Sequence, residues 1–144
     1  MSALNVLIFE ADRGFAASLT RAFQRRKCSV AVVEDGQAGL DRAQSSPPDL
    51  IILSIELPRM NGFAVCNRLK KNDDLKNVPL IIVSSESPQE TFEQHSKLRT
   101  RAEDYAHKPS VIFHDGMLYH FYCAVSGKYP NDVRGVSVAR SKPW

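Results

Sequence analysis

Four short apolar runs punctuate the first hundred residues, each followed by a polar stretch. They are Val6-Leu7-Ile8-Phe9, Val30-Ala31-Val32-Val33, Leu50-Ile51-Ile52-Leu53 and Leu80-Ile81-Ile82-Val83. A strand covered on both faces reads as an unbroken run, because neither set of its alternating side chains meets water. Between the runs the spacing turns helical. Phe15, Leu19 and Phe23 fall at i, i+4 and i+8, one face of a helix. Asp35-Gly36 opens a second helix, Phe63, Cys66, Leu69 and Lys70 mark a third, and 88–101 forms a weaker, more polar fourth. Asp104-Tyr105-Ala106 supplies a short fifth strand. Strands alternating with helices predict an α/β fold with a parallel sheet covered by helices.

The pattern changes after Pro109. Residues 110–144 carry six of the twelve aromatic residues and no glutamate. Val111-Ile112-Phe113, then His114-Asp115-Gly116, then Leu118-Tyr119-His120-Phe121-Tyr122 predicts strand, turn and strand, with Asp115 as the turn residue. Arg134-Gly135-Val136-Ser137-Val138-Ala139 predicts a further strand, and Asp132 a loop position. The chain therefore divides into an α/β unit, 1–109, and a β-rich extension, 110–144. The helix that would close the layer after the fifth strand is missing.

Composition narrows the chemistry. A chain of 144 residues is long enough for one ordinary core. The net charge of +3 is too small to argue for nucleic acid, and Arg25-Arg26-Lys27 reads as a solvated helix end. No apolar run approaches the ~18 residues of a membrane span, and nothing resembles a signal peptide. Three widely spaced cysteines, Cys28, Cys66 and Cys123, fit reduced thiols in a cytoplasmic protein. His95, His107, His114 and His120 show no ligand spacing and read as surface and strand positions. Tyr119, Phe121 and Tyr122 read as packing rather than sugar-stacking residues, and Ser84-Ser85-Glu86-Ser87 as a loop and helix cap rather than an anion cradle.

Ser54 carries the most information. It ends the third strand, and open α/β sheets place their chemistry at the carboxyl ends of strands. A carboxylate there could accept a phosphoryl group; a serine with no base beside it in sequence cannot be expected to.

Residues 4–109 resemble the receiver domain of two-component response regulators, motif by motif. Glu10-Ala11-Asp12 stands where receivers carry the acidic cluster that holds Mg²⁺. Ser54 stands at the phosphoacceptor aspartate, and Leu57-Pro58-Arg59-Met60-Asn61-Gly62 matches the turn that follows it. Ser84 matches the switch Thr/Ser, Tyr105 the switch aromatic, and Lys108-Pro109 the Lys-Pro step. The resemblance implies a flavodoxin-like fold with strand order 2-1-3-4-5. Leu69-Lys70-Lys71, Asp73-Asp74-Leu75-Lys76-Asn77-Val78-Pro79 and Gln94-His95-Ser96-Lys97-Leu98 are similar to the atypical receiver of Frz-type gliding-motility proteins, which also lacks the phosphoacceptor. The extension resembles a blade fragment of five-bladed propeller glycosidases, from Lys108-Pro109-Ser110 through Val125 and again from Arg134 to Trp144. That overlap implies two sequences joined at Pro109. One blade cannot make a glycosidase site, which needs two carboxylates at fixed separation.

Ser54 and Ala11 remove two carboxylates from the receiver pattern. The expectation is a degenerate phosphorylation pocket of Glu10, Ala11, Asp12, Ser54, Ser84 and Lys108, with Tyr105 switch-like. No catalytic residue, bound metal or cofactor is expected. Lys108 should pair with Glu10 or Asp12, since an unpaired buried ammonium is costly. The implied function is phosphorylation-independent recognition of a signalling or motility protein, without enzymatic activity and without nucleic-acid or membrane partners. The alternatives are a phosphorelay receiver using another acceptor, and a carbohydrate-binding extension. The extension should cover the sheet face left by the missing helix, or pair across a homodimer. Either would protect Phe113, Tyr119, Phe121 and Val136.

Overall fold

The structure, a computed structural model, describes residues 3–108 in full and the backbone of residues 110–114, 117–126 and 133–141. The elements run β1 (Asn5–Phe9), α1 (Arg13–Arg25), β2 (Ser29–Val33), α2 (Gly36–Ser45), β3 (Leu50–Ser54), α3 (Gly62–Lys71), β4 (Leu80–Ser84), α4 (Gln89–His95) and β5 (Asp104–His107). The strands β6 (Ser110–His114), β7 (Met117–Ser126) and β8 (Val133–Ser141) follow. The four apolar runs and the short Asp104-Tyr105-Ala106 segment are the five parallel strands, in the order β2-β1-β3-β4-β5. Right-handed crossovers and short connections leave few other ways to wind such a chain.

Three helices begin on a side chain that satisfies a free backbone donor. Asp12 accepts from Phe15 N at 3.0 Å, Asp35 from Ala38 N at 2.8 Å and Asn61 from Ala64 N at 3.0 Å. The fourth is shorter than the polar pattern over 88–101 suggests. It starts after Pro88 with no side-chain cap and ends at His95. Thr100 leaves the helical path and donates to Asn67 Oδ1 on α3 at 2.6 Å.

The sheet separates two apolar clusters. One face buries Leu7, Phe9, Ile51, Leu53, Leu80 and Ile82 against α2, α3 and α4, with Val65, Leu69 and Phe92 fully covered. The other buries Val6, Ile8, Ile52 and Val83 against Phe15, Leu19 and Phe23 of α1. Those three α1 residues are the ones whose spacing predicted a shared face. Lys70 braces the first face. Its ammonium, on a side chain only 6% exposed, meets Glu103 at 2.6 Å and the carbonyls of Lys76 and Val78 at 3.2 Å each. Glu103 in turn accepts from Leu80 N at 2.7 Å, fixing the start of β4.

After β5 the described chain continues in strands, with no fifth helix among the described residues. β6, β7 and β8 form an antiparallel meander, as the Asp-Gly turn and the flanking runs suggest. The meander joins the sheet edge: β7 pairs antiparallel with β5 at Tyr105↔Val125 and Ala106↔Ala124. The described backbone of the extension thus adds to the sheet edge. The outer edge of β5 presents unpaired backbone N–H and C=O groups, and strand addition satisfies them directly. The side chains of Phe113, Tyr119, Phe121 and Val136 lie outside the described residues, as do Asp115 and Asp132.

One glycine fixes how α3 meets the end of β3. Gly62 N donates to Ile55 O at 3.0 Å, and a Cβ on Gly62 would collide with the Ser54 carbonyl oxygen and lie 2.9 Å from Ile55 Cα. Both neighbours are backbone and cannot swing aside. Gly62→Ala should therefore cost about 1–3 kcal/mol in urea-induced unfolding, the range of overpacked interiors. An unchanged midpoint would show that the turn tolerates a wider path.

Candidate functional site

The register of the sheet assembles the site. β1 and β3 pair with Phe9 opposite Leu53, so Glu10 and Ser54 emerge side by side where those strands end. β4 and β5 pair with Ser84 opposite His107, and Lys108 N donates to Ser84 O at 2.7 Å. Glu10, Ser54 and Ser84 are all buried. Two strand ends, Ser54 and Ser84, and the residues just after two others, Glu10 and Lys108, thus converge on one polar cleft.

Lys108 is the cation at its centre. Its Nζ donates to Glu10 Oε1 at 3.0 Å and also stands 3.0 Å from Oε2, at an angle that leaves Oε2 without a hydrogen bond. Glu10 Oε1 further accepts from Asp12 N at 3.0 Å. The two side chains are 11% and 1% exposed, so neither charge is dissolved by water. The Phe15 ring lies 5.2 Å from the ammonium and covers one side of it. Of the two partners expected for Lys108, Glu10 is the one engaged. Asp12 is exposed and caps α1 instead. Ala11 contributes no polar group.

Glu56, two residues beyond Ser54, is the member of the site that the sequence pattern did not single out. Its Oε2 accepts from the Ser84 hydroxyl at 2.7 Å. Its Oε1 accepts from Ser85 N at 2.7 Å and from the Ser85 hydroxyl at 2.9 Å. Lys108 Nζ lies 3.8 Å from Oε1. Ser84 Oγ also accepts from Glu86 N at 3.2 Å and Ser87 N at 2.9 Å. The 84–87 run is therefore a loop that cradles a carboxylate; it supplies no side-chain cap to α4, which corrects its reading as a helix cap rather than an anion cradle. Burial works to raise the Glu56 pKa. The hydrogen bonds from Ser84 and Ser85 and the charge of Lys108 outweigh it and hold the carboxyl below its ordinary value of 4.5.

Ser54 is the opposite case. It is wholly buried and its hydroxyl has no hydrogen-bond partner. No base touches it, so nothing activates the oxygen as a nucleophile.

Tyr105 anchors a second network. Its hydroxyl accepts from Ala102 N at 3.0 Å and meets His95 Nδ1 at 2.6 Å. His95 Nε2 meets Asn67 Oδ1 at 3.0 Å. A carbonyl oxygen at Nε2 requires N–H there, so Nδ1 is the acceptor and the tyrosine hydroxyl donates to it. Burial depresses the His95 pKa and so favours the neutral imidazole with which this arrangement of donors is consistent. His95 is 6% exposed, which corrects its reading as a surface residue. Its two hydrogen-bond partners come from α3 and β5, a convergence invisible in local sequence. Cys66 is similarly buried. Its thiol donates to Thr100 O at 3.2 Å, and burial pushes its pKa up to about 12, which leaves it unreactive.

The sequence model of the response regulator receiver domain matches residues 6–113. The chain belongs to that family. Response regulator ArlR of Staphylococcus haemolyticus is 36% identical over 108 residues, which is 75% of this chain and 47% of that protein. Response regulator MprA of Mycolicibacterium vanbaalenii is 27% identical over 136 residues, 94% of this chain and 56% of that protein. This receiver thus spans about half the length of these relatives. Among solved structures, the signal receiver domain of a histidine kinase from Syntrophus aciditrophicus superposes with a TM-score of 0.67 at 27% identity, covering 75% of this chain and 80% of that one. The chemotaxis response regulator CheY4 of Vibrio cholerae gives 0.69 at 21% identity, over 76% and 89% of the two chains, and shares the fold.

The receiver resemblance implies Mg²⁺ at this end of the sheet, and the donor set here does not fit it. Glu10 is committed to Lys108 and Asp12 N, Asp12 Oδ1 to the α1 cap, and Ser54 offers a neutral hydroxyl. Magnesium requires near-octahedral oxygen ligands with available charge. No group of three His, Cys, Asp or Glu side chains among the described residues is arranged to hold a metal.

Two measurements check this site. Ser54→Ala removes a buried hydroxyl that makes no hydrogen bond, so unfolding stability should hold or rise by up to about 1 kcal/mol. A loss of that size would show the hydroxyl engaged. His95 and Glu56 set separate acid windows. The folded pKa of His95 lies below its ordinary 6.5, so its contribution is complete above pH 6.5 and is lost as pH falls from there through the folded value. Glu56 behaves the same way below 4.5. Urea stability against pH should fall in two stages. His95→Gln should flatten the upper stage and Glu56→Gln should reduce the lower one.

Proposed function

We propose that this receiver acts as a pseudo-receiver: a protein-interaction module of a bacterial signalling or motility pathway that works without phosphorylation and has no enzymatic activity. The observation that carries the reading is Ser54. It stands buried and unactivated at the end of β3, where a receiver's acceptor carboxylate belongs, beside a Glu10 already spent on Lys108. Phosphoryl transfer depends on positioning and charge neutralisation by metal and cation. Here the cation is paired with protein carboxylates, and Ser54 and Ala11 leave the metal position without two of a receiver's carboxylates.

The likeness of 69–71, 73–79 and 94–98 to Frz-type motility receivers supports a motility or signalling partner. The partner would be a cytoplasmic protein rather than nucleic acid or membrane. No helix among the described residues is long and apolar enough to cross a membrane. Receivers commonly present α4, β5 and a fifth helix to partners. Here β7 and β8 extend the sheet beyond β5, so the recognition surface would combine α4 with the added strands.

Incubation with acetyl phosphate and Mg²⁺, followed by intact-mass measurement, tests the proposal. The expected result is no phosphoryl adduct on the wild-type chain. Ser54→Asp combined with Ala11→Asp should restore measurable Mg²⁺ binding. A phosphoryl adduct on the wild-type protein would overturn the reading in favour of a receiver with another acceptor.

A further inference from the structure

The most heavily hydrogen-bonded anion at this site is not part of the receiver pattern. Glu56 takes three hydrogen bonds, from the Ser84 hydroxyl, the Ser85 amide and the Ser85 hydroxyl, all between 2.7 and 2.9 Å. A fourth positive contact comes from Lys108 at 3.8 Å. Backbone amide, hydroxyls and ammonium converging on two oxygens is the donor set that binds an oxyanion such as phosphate. It is filled from within the chain.

We infer that Glu56 is a built-in anion that occupies the oxyanion subsite of this pocket and holds the 84–87 loop in its anion-bound arrangement without phosphorylation. The inference deepens the pseudo-receiver reading and rests on Ser54 not presenting a phosphoryl group to the same donors.

Three features of the structure support it. First, the carboxylate is anchored through both oxygens, so its orientation is fixed rather than free to swing. A side chain whose stem merely reached outward from the loop after β3 would be solvated; this one is 25% exposed and turned onto β4. Second, the anchored hydroxyl organises the loop. With its proton given to Glu56, Ser84 Oγ accepts from the amides of Glu86 and Ser87. Removing the carboxylate removes the acceptor that orients that hydroxyl. Third, the loop is tied to β5 through Lys108 N, which donates to Ser84 O at 2.7 Å, so its arrangement is communicated to the strand that carries Tyr105. Tyr105 is buried and tied to His95, a defined single position rather than an open one. Lys108 has carboxylates on two elements for separate reasons. Glu10 neutralises it within the sheet, and Glu56 adds the negative charge that an external anion would otherwise bring.

The subsite should therefore be closed to added anions in the wild-type chain and open when Glu56 is shortened. The experiment compares wild type, Glu56→Ala and Glu56→Gln by ¹H–¹⁵N NMR, titrating inorganic phosphate and then beryllofluoride. In the wild type the amides of Ser85, Glu86 and Ser87 should not shift saturably with either anion. In Glu56→Ala these amides should move from their wild-type positions. Added anion should bind at least about tenfold more tightly than to wild type and draw the amides back toward those positions. Glu56→Gln keeps the size and one acceptor but not the charge. It serves if the alanine variant does not fold, and its loop amides should also move. The inference is overturned if the variants leave the 84–87 amides in place, if no anion binds them, or if wild type binds phosphate as tightly as they do. A phosphoryl adduct on Ser54 or elsewhere in the wild type is a separate result. It would defeat the pseudo-receiver reading, while the amide shifts would still decide whether Glu56 fills the subsite.

Discussion

A lysine ammonium closed off from water has to be neutralised by fixed groups, and in this protein that requirement organises the polar end of the sheet. Lys108 is held by Glu10 at the end of β1 and faced by Glu56 beyond β3, while its own amide bonds Ser84 at the end of β4. One residue, through its charge and its backbone amide, therefore ties together four strands. Buried ion pairs seldom add net stability over apolar packing, but breaking one leaves a charge stranded. The pocket is in this sense a closed set: each member is tolerable only while the others are present. Ser54 stands outside the set, with a buried hydroxyl that nothing engages.

The apolar layers make this end possible. The central strands β1, β3 and β4 are buried on both faces, which removes water from their ends and raises the cost of any unpaired polar group there. Gly62 lets α3 approach Ser54 and Ile55 closely, and the Lys70–Glu103 clamp fixes the start of β4. The strand ends then present their polar residues at defined spacing. The same layers hold His95, Tyr105 and Asn67 in a neutral network, where charging the imidazole would forfeit the hydrogen bond that Tyr105 donates.

Much of this was legible in the sequence, for identifiable reasons. Strands covered on both faces appear as unbroken apolar runs, and Leu50-Ile51-Ile52-Leu53 or Leu80-Ile81-Ile82-Val83 admit little else. Asp35-Gly36 announced one helix start, whereas the caps supplied by Asp12 and Asn61 emerge only in the folded chain. Glu56 escaped notice because a glutamate before Leu57-Pro58 looks like an ordinary solvated turn residue. Its partners lie 28 and 29 residues away on the next strand end. His95 escaped for the same reason: its burial is created by α3, α4 and β5 meeting, not by its neighbours in sequence. The extension's antiparallel strands were readable from the Asp-Gly turn, but an exposed hairpin edge suits many partners, and only the folded sheet shows that β5 takes it.

The most direct test of this account is a double-mutant cycle on the buried pair. Stability to urea should be measured for Lys108→Met, Glu10→Gln and the two combined. If Lys108 exists to be neutralised, each single change should cost about 3–5 kcal/mol by stranding its partner, and the double variant should recover most of that loss. Simple additivity of the two losses would contradict the account, because it would mean that neither charge depends on the other.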